Sequence, residues 1–159
     1  MPQAPVWSHV DLTAATGAPA AREVPVAYAF EGEKRQHVLF RGEDGHLHEL
    51  AISIGDSAWG HYDLTAATGA PTPAGRPFGY AFEAEKRQHV IYTDADNHLH
   101  ELAISIGERA WGHYDLTAAT GAPTPVIGLV GYAFEAERRQ HLVYWGADGH
   151  IHELAISMP

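Results

Sequence analysis

The chain has no cysteine, which excludes a disulfide framework and thiolate chemistry. Basic residues are scarce, with 10 Lys+Arg against 20 Asp+Glu and a formal charge of −10. Such a field repels phosphate backbones and anionic lipid heads, so neither nucleic acid nor a membrane is expected as a partner. No apolar run reaches membrane-spanning length, and Met1-Pro2-Gln3-Ala4-Pro5 lacks the basic-then-apolar order of a secretory leader; a cytoplasmic setting is the expectation. Long helical patterns are missing too. The best candidate, Glu83-Ala84-Glu85-Lys86-Arg87, is too short to repay nucleation and reads as a charged turn. What the 159 residues do hold is a 45% hydrophobic share, enough for one compact domain. They also hold 12 histidines, whose full protonation would carry the formal charge from −10 to +2.

A repeat organises the whole chain. Trp7, Trp59 and Trp111 each open the pattern W-x-H-x-D-L-T-A-A-T-G-A-P at a period of 52, and His37/His89/His141 and Glu49/Glu101/Glu153 keep that period. Residues 59–105 and 111–157 differ at only 12 of 47 positions, which points to recent duplication or deliberate design. The copies are expected at 7–58, 59–110 and 111–159 of a single domain.

Short β-branched and aromatic runs between Gly, Pro, Asn and Asp predict four strands per copy: Phe78–Phe82, Gln88–Thr93, His98–Ser105 and the Trp strand Trp111–Ala118. Asp94-Ala95-Asp96-Asn97 has hairpin-turn chemistry. If this loop closes the hairpin, Tyr92 pairs with Leu99 and Val90 with Glu101. Four-stranded units in threes predict an all-β fold, either a β-trefoil or a β-propeller. Three blades curve too tightly to close a ring, so a propeller demands oligomerisation: a homodimer of six blades, or a homotrimer of nine. The first recognisable strand is the Trp strand at Trp7, and the last copy reaches Met158-Pro159 before another Trp strand appears. The copies are therefore expected to be permuted, the N-terminal Trp strand completing a blade begun by a C-terminus.

The run His89-Val90-Ile91-Tyr92, Asn97-His98-Leu99-His100-Glu101-Leu102, then Trp111 resembles the blade of the fungal and bacterial fucose-lectin-type propellers in all three copies. The resemblance implies a six-bladed ring, in some members assembled from short chains, and non-catalytic glycan binding between blades. It implies a sugar-gripping role for Glu49, Glu101 and Glu153, with aromatic partners among Tyr92, Tyr144, Trp59 and Trp111. The arginine that faces the glutamate in that family is replaced by Val38, Val90 and Leu142. The competing reading is a structural or designed self-assembling module without a ligand, in which each Glu is a blade lock tied to a neighbouring indole, amide or histidine.

Two further constellations stand out. The pairs His46/His48, His98/His100 and His150/His152 lie two apart on a strand, so both rings leave one face and could chelate a transition metal, although two ligands make an incomplete site. Trp111, His113 and Asp115 alternate onto one face, with Trp59/His61/Asp63 and Trp7/His9/Asp11 as copies. No nucleophile in a strained turn accompanies them, so a hydrogen-bond network is expected rather than an enzyme, and no cofactor is implied.

Overall fold

The computed structural model describes residues 4–158; residues 1–3, read above for a leader, and residue 159 lie outside them. Helix α1 (Leu12–Thr16) precedes β1 (Val26–Phe30), β2 (Arg35–Arg41), β3 (Leu47–Ser53) and β4 (Gly60–Asp63). Helix α2 (Leu64–Thr68) leads into β5 (Phe78–Phe82), β6 (Arg87–Thr93), β7 (Leu99–Ser105) and β8 (Gly112–Asp115). Helix α3 (Leu116–Thr120) leads into β9 (Pro125–Phe134), β10 (Arg139–Gly146) and β11 (Ile151–Ser157). The strands form three separate antiparallel meanders: β1-β2-β3-β4, β5-β6-β7-β8, and a three-stranded β9-β10-β11. They are propeller blades, with β1 against β5 and β5 against β9 at the hub. The trefoil alternative is thereby set aside.

Each blade buries one face against the next. Leu39 and Leu47 of the first blade meet Val90, Tyr92 and Leu102 of the second, with Leu64 of α2 wedged among them. Ile91 and Leu99 of the second meet Leu142 and Tyr144 of the third. The hub needs glycine, because a Cβ on Gly79 would come 2.6 Å from Tyr28 Cε1, and one on Gly131 would come equally close to Tyr80 Cε1.

Two expectations are corrected. The sequence predicts a Trp strand through Ala118 and no helix, yet β8 stops at Asp115 and α3 begins. The cause is local: Asp63 and Asp115 accept from the backbone N–H of Ala66 and Ala118, and Gly69 and Gly121 close the helices in the left-handed conformation. The charged turn at Glu83–Glu85 is one turn of 3₁₀ helix. The hairpin register is also one residue away from that expected. His98 belongs to the connection, whose Asp94 N–H bonds the His98 carbonyl at 3.1 Å, so Ile91 faces Glu101, Tyr92 faces His100 and Val90 faces Leu102. A one-residue slip exchanges the two faces of a strand. Tyr92 and Glu101 therefore leave opposite faces.

Candidate functional site

Pairing of Leu39 with Glu49 puts Glu49 on the odd-numbered face, diagonally across from His37. His37 Nδ1 donates to Glu49 Oε1 at 2.8 Å, and Gln88 Nε2 of the next blade donates to the same oxygen at 3.3 Å. The second blade repeats the arrangement: His89 Nδ1 lies 2.8 Å and Gln140 Nε2 2.9 Å from Glu101 Oε1. Both carboxylates are buried, Glu49 to 5% exposure. A buried carboxylate on an apolar sheet face is costly unless hydrogen-bonded, and here a histidine from its own blade and an amide from the neighbour supply the donors.

The donor facing Glu49 is thus His37, not the expected position Val38; His89 and His141 replace Val90 and Leu142 in the same way. The blade-lock reading anticipates a histidine or an amide as partner of each glutamate, without naming which residue supplies it. The usable signal was His37, His89 and His141 recurring at the same period as the glutamates.

A cleft of about 240 Å³ opens over Glu49 between the first two blades. Its lining includes His37, Gln88, Trp111, Tyr62, Arg35 and Arg109. The Arg35 guanidinium donates to the Tyr62 hydroxyl at 3.0 Å and sits 5.6 Å from the ring centroid. Two buried atoms here, His37 Nε2 and Gln88 Oε1, make no hydrogen bond among the described residues, although Glu33 Oε2 lies 3.6 Å from His37 Nε2; His89 Nε2 and Gln140 Oε1 in the second blade pair likewise make none. Burial, followed by the Glu49 charge, holds the Tyr28 phenol well above its ordinary pKa, so it stays a neutral ring stacked on His37 at 5.0 Å. The site offers carboxylate and carbonyl acceptors, nitrogen donors and an aromatic wall.

The other expected site residues lie elsewhere. Tyr92 is in the inter-blade core and Tyr144 donates to the Pro123 carbonyl at 2.9 Å, both on the faces away from the glutamates. Trp59 packs beside Phe40 and Leu50 on the outer face of the first blade. Glu153 bonds His141, yet half of its side chain is exposed because no glutamine reaches it.

The histidine pairs belong to a second network at the blade edge. His46 Nδ1 donates to Asp63 Oδ2 at 2.8 Å, His48 Nε2 to Asp44 Oδ2 at 3.0 Å, and His61 Nε2 to His48 Nδ1 at 3.0 Å. His98, His100 and His113 repeat it with Asp115 and Asp94. Donor atoms of Asp44, His48 and Asp63 lie within 4.8 Å of one another, which is metal-binding range. The two rings of the His46/His48 and His98/His100 pairs, however, are tied to different carboxylates, and His48 has both nitrogens engaged. In the third blade His152 Nε2 bonds Asp148 at 2.9 Å, with His150 Nδ1 3.7 Å from the same carboxylate.

This network titrates in two directions. The hydrogen bond to Asp63 raises the His46 pKa above its ordinary 6.5, whereas burial and then the neighbouring His48 lower that of His61. A raised pKa stabilises the fold below 6.5 and the gain is lost as pH rises through the folded value. A lowered pKa leaves full stability above 6.5 and loses it as pH falls through the folded value. Urea titrations should therefore find His46→Gln costlier at about pH 5.5 than at about pH 8, and His61→Gln the reverse. Equal costs at both values would contradict the network.

No protein-family model and no curated protein sequence matches the chain. Solved structures do. AofleA from Arthrobotrys oligospora aligns with a TM-score of 0.65 at 18% identity, over 85% of this chain and 38% of its own. The BP39L lectin from Burkholderia pseudomallei aligns with a TM-score of 0.65 at 16% identity, over 82% of this chain and 37% of its own. The fold is that of the lectin propellers. The chain spans under two fifths of the length of these propellers.

Proposed function

We propose that the protein is a non-catalytic, lectin-like carbohydrate-binding propeller whose sites are the clefts between blades. The observation that carries this reading is the buried Glu49, held by His37 and Gln88, beneath a cleft walled by Trp111. A pyranose fits such a place chemically. Its hydroxyls can use the glutamate together with His37 Nε2 and Gln88 Oε1, which make no protein hydrogen bond, while its apolar face stacks on an indole. Glu101, with His89 and Gln140, repeats the carboxylate, imidazole and amide of that site between the second and third blades. Several weak identical sites on one rigid body give useful avidity.

The partner in assembly is a second copy. Two three-blade chains make a six-bladed ring within the ordinary range of propellers, related by a two-fold axis. The aligned span fits twice, and not three times, into the AofleA chain, which supports the dimer over the nine-bladed trimer.

Calorimetric titration with a panel of neutral hexoses and 6-deoxyhexoses tests the reading. Saturable heat with at least one sugar is expected, reduced at least tenfold in affinity by the double variant Glu49→Gln, Glu101→Gln. No heat with any sugar would favour the second reading, a self-assembling module. The hydrogen bonds already made by both glutamates give that reading its footing, since they act as blade locks without a ligand.

A further inference from the structure

We infer that Ser8–Asp11 of one chain is the outermost strand of the third blade of its partner, and that this strand exchange builds an additional cleft and an additional histidine network across the subunit boundary. The inference rests on the homodimer proposed above and assigns its joint. The segment is the copy of β4 and β8, 52 residues before β4. Where β4 and β8 pair with β3 and β7, residues 4–11 pair with no strand among the described residues. Trp7 is 97% exposed, whereas Trp59 and Trp111 are partly covered. The third sheet has the matching vacancy, since β11 is its unpaired edge and Ile151 there is 81% exposed.

Geometry directs the segment away from its own third blade. Leu12 of helix α1 already packs against Phe40 and Leu50 of the first blade, as Leu64 of α2, a helix that also contacts β3 and β4, packs against Tyr92 and Leu102 of the second. The strand before α2 belongs to the preceding blade. By the same placement, the strand before α1 reaches to where a preceding blade must stand, and the third blade of the same chain lies at the opposite end of the series.

Three kinds of repeated contact between blades are interrupted at these two ends, and exchange restores each. Gln88 reaches Glu49 and Gln140 reaches Glu101, while Gln36 is exposed and Glu153 has no amide. The Glu83 carboxylate accepts from the N–H of Glu31 and Gly32, and that of Glu135 from Glu83 and Ala84, which leaves Glu31 to serve Glu135 of the partner subunit. The Thr65 and Thr117 hydroxyls accept from the N–H of Leu47 and Leu99, which leaves Thr13 for the partner's Ile151. The joint also places His9 and Asp11 beside the partner's His152 and His150, in the roles of His61 and Asp63. Glu153 of the partner subunit, Gln36 and Trp59 then repeat the cleft of Glu49, Gln88 and Trp111. The joint differs at the hub, where Ala27 stands at the position of Gly79 and Gly131, so the partner's Tyr132 must tilt to clear one methyl group.

The absence of cysteine makes the test clean. Gly60 pairs with Ala51 and Gly112 with Ala103, so the donated Ser8 falls opposite the partner's Ala155. Directly paired Cα atoms lie within disulfide range. Oxidation of the double variant Ser8→Cys, Ala155→Cys should convert the chain to a covalent dimer of twice the chain mass without free thiols. The off-register pair Ser8→Cys, Ile156→Cys should cross-link at least tenfold less. A disulfide within one chain, a ladder of higher multimers, or equal cross-linking by both pairs would overturn strand exchange. No cross-link in a particle that light scattering reports as a dimer would overturn the exchange alone; no cross-link in a monomer would overturn the dimer as well.

Discussion

Glu101→Ala is expected to destabilise the protein by about 3–5 kcal/mol, a large part of the total stability of a domain this size. The side chain is buried and accepts from His89 Nδ1 and Gln140 Nε2, groups on two different blades. Alanine leaves both donors without an acceptor where water does not readily reach, and each such orphan costs about 1–3 kcal/mol. Glu101→Gln keeps the shape and one acceptor oxygen, so its structural cost should be well under half as large. The contrast separates the lock from the binding group: glutamine retains the joint between blades and still removes the charge that the proposed sugar site uses. Urea denaturation of both variants measures it. A cost below about 1 kcal/mol for alanine would mean that the glutamate is not what ties the second blade to the third.

Much of the architecture was legible because the repeat fixes spacing independently of any local reading. Strand β5 coincides with the expected Phe78–Phe82, and β6 and β7 with their expected positions to within one residue. The helices escaped because five residues of Leu-Thr-Ala-Ala-Thr cannot hold a helix by propensity. They are held by an aspartate at one end, a left-handed glycine at the other, and for α2 by Leu64 in the core. The Asp and Gly that bracket each run were the available signal. The register error came from one residue, His98, which belongs to the loop rather than the strand. That slip put Tyr92 on the side of Glu101 and hid His89, the residue bonded to that glutamate. The cross-blade glutamines were beyond sequence reasoning, because which blade faces meet is decided by packing of Leu39 and Leu47 against Val90 and Leu102. The glutamates are legible as candidates because their charge stands out in otherwise apolar strands.

The second large effect is on particle size. The third sheet has a free edge at β11, residues 8–11 are an unpaired copy of β4, and Val130, Tyr132, Phe134 and Ile156 are each 40% exposed or more; under the proposed dimer another copy covers these surfaces. Closure by a two-fold axis satisfies both ends of each chain at once and stops growth at two. Light scattering after gel filtration at neutral pH measures this directly. The account predicts one species of twice the 17.3 kDa chain mass; a single species of 17.3 kDa at micromolar concentration would contradict it.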